Sequence, residues 1–178
     1  SEPLKRQLQA IASLRRTLLV IQLGGPVGDR ASFGEQGNAI AANMAKRLDL
    51  GLATPWQATR DPIVALGSLL TQITGALGKF GVDVTLLAQN EVAAIQLEGG
   101  GGSSAMAHKS NPVNAEVLVA LARANAGLCG TLAQAQLHEN ERSGAAWTLE
   151  WLTLPAMLVN TGASLRLAGK LLGQVRLA

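Results

Sequence analysis

The sequence predicts an all-α fold, a long-helix bundle, and three observations predict it. From Asp61 onward, Ile63, Leu66, Leu70, Ile73, Leu77, Phe80, Val84 and Leu87 recur at alternating spacings of three and four, which is a heptad seam. No stretch alternates apolar and polar residues as a half-buried strand does, and no hairpin turn signal is present. Apolar residues make up 48% of the chain, yet aromatics are few (three Trp, two Phe, no Tyr), so Leu and Ala must fill the core, which suits close-packed helices. A chain of 178 residues can bury a substantial core. A single helical domain over residues 1–178 is expected.

The first helix is expected from Leu4, Leu8, Ile11, Leu14, Leu18 and Ile21, with Pro3 in a first turn that tolerates it and a stop at Gly24-Gly25-Pro26. Residues 24–37 are glycine-rich and irregular. A second helix is expected from Asn38 to Leu48, ending at Gly51, then a loop from Leu52 to Arg60. Asp61-Pro62 starts the long helix. Gly67, Gly75, Gly78 and Gly81 lie inside it, each less favourable than Ala by about 1 kcal/mol. So many suggest that a neighbouring backbone approaches closely; the alternative is a break between Gly75 and Gly81. A further helix is expected from Pro112 to about Leu137, with Val117, Leu118, Leu121, Leu128 and Leu132 as its apolar set. The last helix carries Trp151, Leu154, Leu158, Leu165, Leu172 and Val175, and Pro155 should kink it or mark its start.

Charged residues are only 15% of the chain, so much of its surface is expected to be covered by a partner. The net charge is +3 and the basic residues form no stripe with interleaved aromatics, which argues against nucleic acid and fits a small anionic substrate. No continuous apolar run or signal-peptide pattern points to a membrane. Cys129 is the only cysteine, so the chain alone can build neither a disulfide framework nor a cysteine zinc site, and a cytoplasmic location is expected. Ser1 opens directly into helical pattern, which suggests a piece of a longer protein.

The loop from Gly99 to Pro112 concentrates the chemistry. Four glycines precede Ser103, Ser104, His108, Lys109, Ser110 and Asn111. Asn111 can cap the coming helix and Pro112 fits its first turn, so the polar residues lie at a positive helix end. Such a segment resembles an active-site lid; a flexible solvated linker is the alternative. As a base, Ser103 needs on the order of 8 kcal/mol of alkoxide stabilisation, because an alcohol sits roughly six pKa units above neutrality. Glycine N–H groups, Lys109 and the helix dipole are the available sources. The phosphate-loop pattern is not met, since no glycine precedes Lys109.

Two further motifs stand out. In Trp56-Gln57-Ala58-Thr59-Arg60-Asp61, Gln57 and Arg60 could read a carboxylate, or Asp61 caps and Arg60 is solvated. In His138-Glu139-Asn140-Glu141-Arg142-Ser143, Arg142 and Ser143 could bind an anion, or the segment is a charged turn. Glu91 either is buried and orients the loop or is an exposed helix-end residue.

The segment Gly102-Ser103-Ser104-Ala105-Met106-Ala107-His108-Lys109-Ser110-Asn111-Pro112 resembles the signature loop of the fumarase/aspartase superfamily. Val20 to Gly25, Trp56 to Asp61, Lys79-Phe80-Gly81, Gln89 to Val92, Glu141-Arg142-Ser143, Trp147, Glu150-Trp151 and Leu154-Pro155 look most like its 3-carboxy-cis,cis-muconate cycloisomerase branch. The resemblance implies the core of a homotetramer, with composite active sites drawn from three subunits. It implies that Ser103 is the proton carrier and that Lys109 and Asn111 grip a substrate carboxylate. Ser104, Met106, Gln57, Arg60, Arg142 and Ser143 would complete the substrate site. The substrate would be a small polycarboxylate, and no metal or organic cofactor is implied. Ala107 replaces the family's Pro, Ser110 the branch's usual Arg, and Asn140 its His. Adenylosuccinate lyase resembles the chain less well; a non-catalytic helical scaffold is the reading from another class. The chain is expected to match the middle of a family member without its amino-terminal part, to be inactive alone, and to have a poorly ordered glycine loop.

Overall fold

The computed structural model describes residues 1–98, 101–102 and 110–178, with Gly101, Gly102 and Ser110 as backbone alone. The chain divides into two compact units, Ser1–Leu69 with Cys129–Leu154, and Leu70–Leu128 with Pro155–Ala178.

In the first unit, helix α1 spans Glu2–Leu18 with Pro3 in its first turn, and Arg15 and Arg16 near its carboxyl end, where positive charge is favoured. None of its residues is fully buried and Leu8 is 67% exposed. The helix stops before the expected Gly24. Val20 pairs with Gly51 in a parallel bridge, and the Ile21 N–H donates to the Gly51 carbonyl at 2.8 Å. Ile21 therefore leaves the helical pattern and joins Ala41 and Ala45 in a small core, with Leu23, Met44 and Leu50 around it. Ala41 and Ala45 belong to α2, Gly37–Leu48, which follows a 3-10 turn at Ala31–Gln36.

Helix α3 spans Asp61–Leu87 without the break considered between Gly75 and Gly81. Its first hydrogen bonds, from the Ile63 and Val64 N–H groups, end on the Arg60 carbonyl, so Arg60 is held at the helix entrance. Helix α4 covers Val113–Gln134 and α5 covers Gly144–Gln174. Residues 129–134 of α4 and 144–154 of α5 complete the first unit.

The second unit explains two of the glycines. A Cβ on Gly81 would lie 2.6 Å from the Ala115 carbonyl oxygen, and one on Gly78 would lie 2.6 Å from the Ala122 Cβ. Here α3 and α4 approach as the glycine content suggests. Gly75 faces nothing within 4 Å. By length and composition α3 and α4 could each cross a bilayer; a close glycine-alanine crossing equally accounts for their apolarity as helix packing.

Helix α5 corrects the sequence reading. Its expected apolar stripe faces outward, with Leu158 47%, Leu165 51% and Leu172 64% exposed. The buried side in this unit is Met157, Thr161, Ser164, Ala168 and Leu171. Thr161 and Ser164 donate to the carbonyls of Met157 and Asn160 four residues back, at 2.7 and 2.8 Å. Hydroxyls satisfied in this way can enter a core that a hydropathy pattern denies them. Asn125 of α4 is fully buried beside them. It donates to Thr161 Oγ1 at 3.1 Å and accepts from Asn160 at 3.0 Å. Pro155 lies inside α5 and neither starts nor ends it.

Short strands also appear where none is expected. β1 (Ile95–Leu97) pairs antiparallel with the last strand, Val175–Leu177, and β2 (Gly101–Gly102) pairs with β3 (Ser110–Asn111), which makes Val175–Leu177 β4. Val175 thus leaves the last helix. Two- and three-residue strands are too short to show an alternating period. Arg176 of β4 and Glu98, the residue after β1, form a bidentate pair.

Candidate active site

Within the first unit, two of the motifs meet on the opening turns of α5. The Arg60 Nε donates to Glu150 Oε2 at 2.9 Å and its Nη2 to Oε1 at 2.6 Å. The Arg142 guanidinium lies 4.7 Å from the centre of the Trp147 ring, and Trp147 stacks on Trp151 at 5.7 Å. Trp147, Glu150 and Trp151 are spaced as i, i+3 and i+4 on one helix, so they share a face. One short helical face therefore receives both arginines. Arg60 also lies 5.9 Å from the Trp56 ring.

Ser143 sets the end of that helix. Its Oγ accepts the Ala146 N–H at 3.2 Å, the geometry of an N-cap. Its own N–H donates to His138 Nδ1 at 3.1 Å. The Ser143 side chain is the main reason that the nearby Glu139 carboxyl is held below the usual carboxylate range. The Glu139 backbone N–H and the neighbouring His138 add to the same shift. His138 Nε2 is buried with no hydrogen-bond partner. Ser143 is thus a turn-holding residue as well as a candidate ligand.

Gln57 has a left-handed backbone, φ 43°, and its Nε2 donates to the Pro26 carbonyl at 2.8 Å. Gly28, φ 88°, makes room for it: a Cβ there would lie 3.0 Å from the Gln57 Cβ. Asn111 lies in the second unit, paired with Gly101 in β2–β3. It does not cap α4, which starts one residue later than expected, with the Ala115 and Glu116 N–H groups reaching the Pro112 carbonyl. Ser103, Ser104, Met106 and Lys109 lie outside the described residues, as do Ala107, His108 and the expectation about loop order; of Ser110 only the backbone is described. Glu91 is exposed in a turn after α3, so its buried reading is corrected: the helix ends at Leu87, before it. Among the described residues no three His, Cys, Asp or Glu side chains are grouped as a metal ion would require.

Glu150 is the functional candidate to which the sequence reading gave no site role, although Glu150-Trp151 is among the segments that carry the resemblance. Its signal was weak: a lone carboxylate among apolar residues on a helix face, which needs a partner if buried.

A family model described as lyase matches residues 1–127. This chain belongs to that lyase family, in the fumarase/aspartase superfamily. It is 43% identical over 169 residues to 3-carboxy-cis,cis-muconate cycloisomerase of Pseudomonas aeruginosa, covering 93% of this chain and 37% of that one. The enzyme of the same name from Acinetobacter baylyi is 41% identical over 165 residues, covering 90% and 37%. Among solved structures, the 3-carboxy-cis,cis-muconate lactonizing enzyme of Pseudomonas putida matches with a TM-score of 0.91 and 37% identity, covering 99% of this chain and 39% of that one. The chain thus spans well under half the length of those relatives.

Proposed function

We propose that the protein carrying this chain is a cycloisomerase that closes 3-carboxy-cis,cis-muconate to its carboxymuconolactone in aromatic-acid degradation. The convergence of Arg60 and Arg142 on one end of α5 is the observation that carries the reading, because a substrate with several carboxylates needs fixed cationic forks. The names and identities of the relatives support the choice of substrate.

In the proposed reaction a substrate carboxylate oxygen adds to one end of a double bond. The π electrons move to the carbon beside a second carboxylate, and that carbon takes a proton from Ser103. One C–O and one C–H bond form, and one π bond is lost. Solvent returns a proton to the serine before the next turnover. Lys109 and Asn111 hold the carboxylate on which the negative charge gathers, which lowers the barrier only as far as they bind that charge better than the starting substrate. Gln57, Arg60, Arg142, Ser143, Ser104 and Met106 position the rest of the substrate. Turnover needs more polypeptide than these 178 residues, since the relatives that carry the name are matched over only 37% of their length.

The same proposal includes a cytoplasmic homotetramer with composite sites. The outward stripe of Leu158, Leu165 and Leu172, spaced by seven, supports it, because such a row on a long helix suits a facing helix.

The test is loss of the muconate ultraviolet band on mixing with the complete polypeptide, with Ser103→Ala alongside. The expected result is turnover by wild type and at least a 100-fold lower kcat in the variant. No turnover of muconate, or a variant equal to wild type, overturns the reading; turnover of adenylosuccinate instead would move the substrate within the superfamily.

A further inference from the structure

Of the ion pairs among the described residues, only Arg60–Glu150 is buried, with side chains 13% and 8% exposed. The pair meets side-on, through Nε and Nη2. A guanidinium carries five N–H donors in one plane. Glu150 takes two, so three remain, on Nη1 and Nη2. Those two nitrogens form a second, end-on fork that also matches a carboxylate. Among the described residues nothing else in the chain bonds to it.

We propose that Glu150 is a positioning residue: it fixes Arg60 side-on so that the end-on fork receives a substrate carboxylate, and it cancels the Arg60 charge so that this arginine orients the substrate more than it attracts it. The inference rests on the reading of Arg60 as a substrate ligand. Three features carry it. A carboxylate and a guanidinium buried together hold a fixed geometry, because swinging either away leaves an uncompensated charge in low dielectric. The Trp56 ring, 5.9 Å away, flanks the guanidinium. Arg142 has no carboxylate partner among the described residues and stacks on Trp147, so it retains full charge. The two arginines therefore divide the work: Arg142 attracts an anion and Arg60 aligns it.

The test uses Glu150→Gln in the complete polypeptide, which keeps the side-chain size and one acceptor but removes the charge. We expect kcat to fall about tenfold as alignment loosens. KM for carboxymuconate should fall about threefold and its salt dependence should steepen, because Arg60 gains an uncompensated charge. The Kd for tricarballylate, a saturated tricarboxylate that cannot react, should fall in parallel. Glu150→Asp keeps the charge and should return KM to the wild-type value.

Glu150→Gln kinetics within twofold of wild type overturn the positioning role. So do changes that merely track lost folded protein by circular dichroism. Arg60→Ala separates the two levels: wild-type kinetics there remove the ligand reading itself, whereas an impaired Arg60→Ala beside a silent Glu150→Gln removes only the role of Glu150.

Discussion

Gly81 of α3 lies directly over the main chain of Ala115 in α4, so close that a single added carbon would sit 2.6 Å from the Ala115 carbonyl oxygen. The obstacle is backbone, which cannot rotate aside as a side chain can. Gly81→Ala gains about 1 kcal/mol of helix propensity and forces the helices apart, which costs about 1–3 kcal/mol. A net loss of stability is expected in urea unfolding. Gly75→Ala, where nothing lies within 4 Å, should instead be neutral or stabilising by up to about 1 kcal/mol. Equal responses at the two positions would contradict the close crossing.

Ser143 caps α5 and lowers the Glu139 carboxyl at the same time. Ser143→Ala should cost about 1 kcal/mol of stability. In the same variant the Glu139 titration, followed by NMR, should move up towards the usual carboxylate range. An unmoved titration would mean that the hydroxyl is not its chief partner.

The sign of the pH effect follows from that lowered carboxyl. The folded state holds the proton less tightly than the unfolded chain, so the stabilisation is fully present above the ordinary Glu value of 4.5. It fades as pH falls below that value and through the folded pKa. Melting temperature measured from pH 6 to pH 3 should therefore drop less in Glu139→Gln than in wild type.

Asn125 ties α4 to α5 through Thr161, the Met157 carbonyl and Asn160. Asn125→Ala would leave the Asn160 amide and the Met157 carbonyl without that partner and open a cavity. The expected loss is about 2–4 kcal/mol in urea unfolding. Asn125→Leu fills the space but not the hydrogen bonds, and should lie between the two.

Leu165 stands in the middle of the exposed α5 stripe. Leu165→Glu should shift a tetramer to smaller species in size-exclusion chromatography while leaving helix content unchanged. A wild-type protein that is already monomeric at micromolar concentration would remove the basis for the proposed assembly.

Much of the fold is legible in residue patterns. The Asp61-Pro62 start and the seam ending at Leu87 give α3 its observed bounds, because a long run repeats its period often enough to be read. The Gly78 and Gly81 approach is legible too, since glycine in a helix interior costs stability that close packing must offset. The strands are not legible, since Ile95–Leu97 meets Val175–Leu177 across eighty residues and each has too few positions to show a period. Nor is the inner face of α5. There the buried Thr161 and Ser164 look polar in sequence and become core residues only by bonding back to their own helix.

By itself the sequence determined the helical class and the superfamily and pointed to candidate ligands, because these readings rest on spacing and on a motif that is local along the chain. Only the tertiary structure decided what those ligands are tied to. Ninety residues separate Arg60 from Glu150, and no local pattern records which carboxylate will meet a given guanidinium. That choice is made by packing: once α3 and α5 bring both groups out of water, each must have the other.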